Sequence, residues 1–226
     1  MAFIDYTKYP LPRSRHHVGA NLYVPKRDLK IEPTYYPPLY NELHWTEFFA
    51  SGAPPSVLDI GCGLGKFMLE TALATPAYNV LGLEVRKYAV DWIQNVIAGE
   101  RVANASVLWY NVANGLPFIP SASVQQIFYF FPDPWFKRRH HGRRAFTPAF
   151  LDECARILAP EGTMYLMTDV PEVDTYQRAT MHKHGKFRYE SVENEAEWGL
   201  QAKTNHQEFC ERKGIPYTRL KCQVLK

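Results

Sequence analysis

No long hydrophobic run is present. The longest uninterrupted apolar stretch is Ile127-Phe128-Tyr129-Phe130-Phe131, well short of the roughly eighteen residues that a membrane-crossing helix requires. Cysteine is scarce and scattered: Cys62, Cys154, Cys210 and Cys222 show no CxxC spacing, which excludes a disulfide framework or thiolate zinc motif and is expected of reduced thiols. Internal repeats and low-complexity tracts are missing, which excludes a repeat array. The opening Met1-Ala2-Phe3-Ile4-Asp5-Tyr6 lacks the basic and apolar segments of a signal peptide, so a cytoplasmic protein with no membrane partner is expected. Neither a metal-ligand cluster nor a Ser/His/Asp arrangement stands out, and no metal is expected. What is there is ordinary: 226 residues, 46% hydrophobic and 22% charged, near the globular average. That excludes a mostly disordered chain and leaves room for one α/β domain with an appendage.

The formal charge of +3 hides strong patterning. Residues 1–30 carry +4, 31–136 carry −5, 137–144 carry +5, 145–200 carry −5 and 201–226 carry +4. An acidic body thus holds three basic blocks, which form a polyanion-binding surface if the fold gathers them on one face.

Residues 1–45 are rich in Pro and Tyr (Tyr9-Pro10-Leu11-Pro12, Tyr35-Tyr36-Pro37-Pro38) without periodicity, and read as an extended basic arm that is mobile without RNA. Residues 46–226 read as the domain. Val57–Ile60, Asn79–Glu84, Ser106–Tyr110, Val124–Phe131, Thr163–Thr168, Phe187–Val192 and Tyr217–Val224 are expected strands. Helical periodicity separates several of them, as in Tyr88, Ala89, Trp92, Ile93, Val96 and Ile97. Thr147-Pro148 caps a further helix that stops near Pro160-Glu161-Gly162. Strand and helix alternating in this way predict an α/β, doubly wound, Rossmann-like sheet of seven mostly parallel strands, the last antiparallel. Ligands sit at the carboxyl ends of such strands.

Asp59-Ile60-Gly61-Cys62-Gly63-Leu64-Gly65 is a glycine-rich turn between the first strand and its helix, and Glu84 ends the second strand. Glycines let backbone N–H groups approach a ligand, and a carboxylate at Glu84 can accept both hydroxyls of a ribose. The dinucleotide fingerprint wants its third glycine one place later, where Lys66 stands. Asp59 would also repel a pyrophosphate, whereas it suits a ligand carrying an ammonium and a sulfonium. The pattern resembles motif I and its acidic partner in class I S-adenosylmethionine methyltransferases. The nicotinamide-dependent alternative stays open here.

Phe131-Pro132-Asp133-Pro134-Trp135 leaves the fourth strand, two prolines fixing one carboxylate beside an aromatic ring. A nucleobase needs both an acceptor for one edge and a surface on which to stack. The +5 block Lys137-Arg138-Arg139-His140-His141-Gly142-Arg143-Arg144 follows at once, placed to meet phosphates.

Phe131 through Arg144 resembles the signature of the tRNA (guanine-N7)-methyltransferase family, and the match extends over Gly82-Leu83-Glu84-Val85-Arg86, Thr168-Asp169 and Thr204, roughly residues 56–224. The resemblance implies methyl transfer from S-adenosylmethionine to N7 of the variable-loop guanosine at position 46. It implies that Asp59, Gly61, Gly63, Glu84, Arg86 and Asn111 line the cofactor, with Asn111 near the adenine, and that Asp133 touches it at the reaction centre. Lys137, Asp169, Thr204 and Gln207 would contact the target nucleotide, and Arg138, Arg139, Arg143 and Arg144 the RNA. Arg13 and Arg15 resemble a basic arm of some members. Asp59 stands where the family usually has Glu, and Gln207 where it has a second Glu, with Glu208 one place on. The expected partner is tRNA, for a monomer or homodimer with no obligate protein partner. A methyltransferase with a protein or small-molecule substrate, and a catalytically silent RNA-binding protein, are the alternatives.

Overall fold

The computed structural model describes residues 3–12 and 19–225, so Arg13 and Arg15 lie outside the described residues. Seven strands form one sheet: β1 (Val57–Ile60), β2 (Val80–Glu84), β3 (Ala105–Trp109), β4 (Val124–Phe130), β5 (Leu158–Thr168), β6 (Phe187–Ser191) and β7 (Thr218–Val224). Their order is β3-β2-β1-β4-β5-β7-β6. β1 to β5 pair in parallel, while β7 runs antiparallel to both neighbours. This is the expected doubly wound sheet with its antiparallel last strand.

Parallel strands covered on both faces read as continuous apolar runs, and every residue of β1 and β2 is buried. Alternate residues feed two cores. Leu58, Ile127, Tyr129 and Leu166 pack toward α3 (Pro148–Ile157) and α4 (Pro171–His184). Val57, Phe128, Phe130 and Met167 pack toward α1 (Lys66–Ala74) and α2 (Lys87–Glu100). From β1 the chain winds outward through β2 to β3, then returns to β4 on the other side of β1. Successive crossovers therefore part between β1 and β4, and the loops leaving these two strands open a crevice there. Both sequence motifs, Gly61–Gly65 and Phe131–Trp135, leave those strand ends.

Three local features differ from expectation. β5 begins at Leu158 rather than Thr163, because Leu158 pairs with Val124 before a bulge shifts the register. Gly162 sits in that bulge, where a Cβ would stand 2.9 Å from the Val124 carbonyl oxygen. Two helices, α5 (Glu195–Trp198) and α6 (Asn205–Lys213), occupy a stretch in which no helix is expected. Thr204 caps α6 by accepting from the Gln207 N–H at 2.9 Å, so Thr-x-x-Gln serves here as a helix start.

The described part of the first 45 residues is packed on the domain through short 3₁₀ turns. Ile4 is buried, the Tyr6 ring stacks on Trp92, and the Tyr9 hydroxyl donates to Glu100 at 2.9 Å. Further on, the Tyr36 hydroxyl donates to the Val24 carbonyl at 2.7 Å and accepts from Asn111 (3.2 Å) and Asn114 (3.1 Å). Removing this hub with Tyr36→Phe is expected to cost about 1–2 kcal/mol. The measurement is hydrogen exchange at Leu22–Val24, which should speed up. Unchanged protection there would show that the hub does not hold the arm.

Candidate active site

The crevice is a cleft of about 450 Å³ bounded by the glycine turn, the end of β2, the loop after β4, the first half of α4 and the cap of α6. On its first wall Gly61, Gly63 and Gly65 have φ of +75°, +64° and +73°, a left-handed region that side-chain-bearing residues avoid. At Gly65 a Cβ would also stand 2.9 Å from Ile93. Glu84 is buried, and its carboxylate accepts from the Gly63 and Arg86 backbone N–H groups, each at 2.9 Å. The Arg86 guanidinium forks onto the same carboxylate, Nε at 2.9 Å and Nη2 at 3.0 Å. Four donors fill the four lone-pair sites of a carboxylate. A ribose diol therefore reaches Glu84 only by displacing the Arg86 fork.

Asp59 is 4% exposed, and among the described residues no hydrogen-bond donor is paired with its side chain. Burial, with the Glu84 charge adding, pushes its carboxyl up to about 8. Burial and Asp59 likewise push up the Cys62 thiol, which is thus no nucleophile at neutral pH. Asn111 lines the cleft, but its amide donates to the Leu22 and Val24 carbonyls at 2.9 and 3.2 Å. That amide fixes the arm.

The opposite wall is the loop carrying Asp133. Its carboxylate is exposed at the cleft, and Phe131 and Trp135 on either side hold φ of +47° and +43°. Left-handed aromatic residues cost about 1–3 kcal/mol each and persist only when the surroundings enforce them. Arg144 supplies much of that enforcement. It is buried, donates to the Pro134 carbonyl through Nε (3.0 Å) and Nη2 (2.8 Å), and pairs with Glu172 at 2.7 Å. Its guanidinium lies 4.8 Å from the centre of the Tyr176 ring. Arg144 is thus a clamp on the loop, which corrects its expected place among the RNA contacts: the buried guanidinium is turned inward. Arg143 instead covers the Trp135 ring at 5.0 Å.

Tyr23 enters the cleft from the arm, with its ring edge-on to Trp135 at 5.0 Å. Burial first, then the Asp133 and Glu84 carboxylates, push its phenol pKa up, so it stays protonated. Nothing in Ala20-Asn21-Leu22-Tyr23 marks it as a site residue; only the docking of the arm brings it there. Gln177 also lines the cleft unexpectedly. Its signal was legible: with Val173 and Met181 it forms an i, i+4, i+8 stripe of buried residues, one of them polar.

Asp59, Gly61, Gly63, Glu84, Arg86, Asn111, Asp133, Arg143, Arg144 and Thr204 line the cleft. Lys137, Arg138 and Arg139 stand exposed outside it, following directly on the wall that carries Trp135. His140 lies below its ordinary pKa through desolvation and the charges of Arg143, Arg139 and Lys137, so it adds little charge to the block at neutral pH. The late basic block is partly neutralised, Lys203 pairing with Glu211 and Arg219 with Glu195. Gln207 points away from the cleft, its buried amide donating to Glu211 and Tyr217 at 3.2 Å each. Glu208 pairs with Lys66.

Asp169 lies beside the cleft and meets His206 at 3.0 Å. With Cys210 these two form, among the described residues, a group that could hold a metal, their ligand atoms within 4.8 Å of one another. His206 sits in the first turn of α6, where the positive end of the helix dipole opposes a cation, and 3.0 Å is an ordinary hydrogen-bond length. The group is better accounted for as a hydrogen bond between Asp169 and His206 beside a buried thiol.

Residues 53–220 match the family described as Putative methyltransferase. A tRNA (guanine-N(7)-)-methyltransferase of Thermosynechococcus vestitus is 36% identical over 64% of this chain and 68% of its own length. One of Lactobacillus gasseri is 31% identical over 67% of this chain and 70% of its own. For the relative from Synechococcus elongatus the chain spans 62% of the length, at 38% identity. Among solved structures, a SAM-dependent methyltransferase of Aquifex aeolicus superposes with a TM-score of 0.53 at 16% identity, covering 76% of this chain and 82% of that one. The precorrin-6y C5,15-methyltransferase of Geobacter metallireducens GS-15 gives 0.52 at 16% identity, covering 75% and 78%. At such identities the structural likeness establishes the fold alone, that of class I methyltransferases. With its sheet order, its two motif-bearing loops on one crevice and these sequence relatives, the chain belongs to the tRNA (guanine-N(7)-)-methyltransferase family.

Proposed function

We propose that the protein transfers a methyl group from S-adenosylmethionine to N7 of guanine in tRNA, at the variable-loop guanosine of position 46, in the cytoplasm. The observation that carries this reading is the Asp133 loop, clamped by Arg144 and facing the left-handed glycine turn across one cleft, with a run of cations directly after it. When bound, S-adenosylmethionine supplies a methyl group on a sulfonium, an electrophile that a nitrogen lone pair attacks directly. Guanine N7 has such a lone pair in the ring plane, so the protein needs no general base. Its task is alignment, where positioning contributes most.

The residues present fit the cofactor. Gly61 and Gly63 leave the turn open to close approach, and Glu84 accepts the ribose hydroxyls once Arg86 yields. Asp59 is a buried carboxyl that gains its charge when a cationic amino-acid end docks. Asp133 accepts from the guanine N–H groups and offsets the positive charge that grows on the purine. Trp135, between Tyr23 and Arg143, offers the stacking surface. Residues 1–45 act as an arm that delivers Tyr23, and Lys137, Arg138 and Arg139 hold the flanking phosphates.

Purified protein, methyl-labelled S-adenosylmethionine and unmodified tRNA test the activity. Label in 7-methylguanosine at the variable loop is expected; label on another ring atom or on protein would sink the proposal. RNA binding should weaken steeply with salt because released counterions drive it. A flat response would remove Lys137, Arg138 and Arg139 from the interface.

The Asp59 carboxyl gives a pH signature. Its folded value, about 8, lies above the model-peptide value of 3.8, so its contribution to stability is complete below the lower value and is lost as pH rises through the upper one. A cationic ligand favours the ionised form. Affinity for S-adenosylhomocysteine should therefore rise from pH 6 to 8 and level off above, with a proton released on binding near pH 7. Titration calorimetry in buffers of different ionisation enthalpy measures that proton. The same release from Asp59→Asn would assign it to another group.

A further inference from the structure

Gln177 is a polar side chain of the cleft that the reaction outlined above leaves unused. It is 1% exposed, and its Nε2 is a buried donor with no hydrogen-bond partner among the described residues. An orphaned buried donor is costly, and native structures carry few of them. Here the side chain lies on the cleft wall with the donor itself closed to solvent, so a ligand meets it when the amide turns into the cleft.

The surroundings narrow what that ligand is. Tyr129, Phe146 and Tyr176 line the same cleft as Gln177, and Tyr129 and Phe146 stack on each other at 5.9 Å with an interplanar angle of 29°. The Tyr176 hydroxyl is spent on the Phe146 carbonyl at 2.8 Å. The Arg144 guanidinium over Tyr176 is spent on the Pro134 carbonyl, and that clamp ties this region to the loop carrying Asp133. Pro134 follows Asp133 in the chain and Tyr176 precedes Gln177, so the clamp brings the acid and the amide to the same region. A flat ligand entering here meets a carboxylate that accepts and a primary amide that donates.

We infer that the Gln177 amide donates to the 6-oxo group of the target guanine while Asp133 accepts from its N1–H and 2-amino groups, so that the two select guanine over adenine. Guanine presents an acceptor at position 6 and donors at positions 1 and 2. Adenine presents a donor at position 6 and no proton on N1, so it would leave both protein groups unsatisfied. N7 lies on the far side of the 6-oxo group and stays free for methylation. Gln177 is then a specificity-determining residue, and the inference rests on the guanine reading above.

The test is single-turnover methylation of tRNA carrying guanosine, 6-thioguanosine or inosine at the target position. Sulfur is a poor acceptor, so the wild-type protein should prefer guanosine to 6-thioguanosine by about 10–100-fold. Gln177→Leu, of similar size, should bring that preference close to one while leaving the preference over inosine, which lacks the 2-amino group, unchanged. Gln177→Asn, with its amide drawn back, should fall between. Binding of S-adenosylhomocysteine by each variant confirms that it folds, and the wild-type preference needs no variant at all. A wild-type preference near one, or a preference that survives Gln177→Leu, overturns the inference. Should the wild-type protein methylate no guanosine in any tRNA, it is the function reading that fails. Normal transfer with an unchanged preference removes Gln177 alone.

Discussion

Asp133→Ala should lower kcat by about 10²–10³-fold, the range found when one preorganised group facing developing charge is removed. Binding of S-adenosylhomocysteine should change little, since the glycine turn, Asp59 and Glu84 lie on the other wall. Asp133 is exposed at the cleft, between two prolines and beyond the end of β4, so its loss leaves the packed core intact. A fall in activity is therefore chemical and not a symptom of unfolding. Asp133→Asn separates charge from shape. The amide keeps one acceptor and the size of the group but cannot offset the purinium charge, so it should recover only part of the loss. A kcat within threefold of wild type for Asp133→Ala would remove the residue from the reaction centre.

Arg144→Ala should act through stability as well as rate. The guanidinium bridges the Pro134 carbonyl by two hydrogen bonds, and its side chain is only 7% exposed. Removing it leaves that carbonyl unpaired and uncovers Tyr176, at a cost of about 2–4 kcal/mol. For a domain of this size that is a fall of roughly 5–15 °C in Tm. The Glu172 partner is half exposed and is rescued by water, so the ion pair itself contributes little. Without the clamp the loop is free to relax from the left-handed conformations at Phe131 and Trp135, and kcat should drop even well below the new Tm. Arg144→Lys restores the charge but not the planar fork, and should recover less than half of the loss. A phosphate contact would behave otherwise, weakening RNA binding and reducing its salt slope at unchanged Tm. That pattern would overturn the clamp.

The sheet was legible because its parallel strands are buried on both faces, so Val57–Ile60 and Val80–Glu84 stand out as short apolar runs. α6 was not, because it turns only Gln207 and Cys210 inward and shows no apolar stripe. Its Thr204 cap and its Gly214 stop are plain in retrospect. The same Thr-x-x-Gln, however, serves equally as a capping box or as a pair of ligand contacts, and sequence does not separate the two. Charge patterning was legible only as sums. Which cations face solvent depends on partners far along the chain, such as Glu172 for Arg144 and Glu195 for Arg219.

By itself the sequence determined the doubly wound fold, the glycine turn and a rigid carboxylate next to an aromatic ring. These follow from local periodicity and from prolines and glycines that constrain their own backbone. Tertiary structure alone decided that Arg144 is a clamp, that Asn111 holds the arm, that Tyr23 enters the site and that Gln177 is left with an unspent donor. Each of those outcomes depends on which groups meet across the crevice between β1 and β4. A side chain's hydrogen-bonding capacity is the same in any sequence, and the partners that consume it, or leave it free for a ligand, are assigned only when the chain has packed.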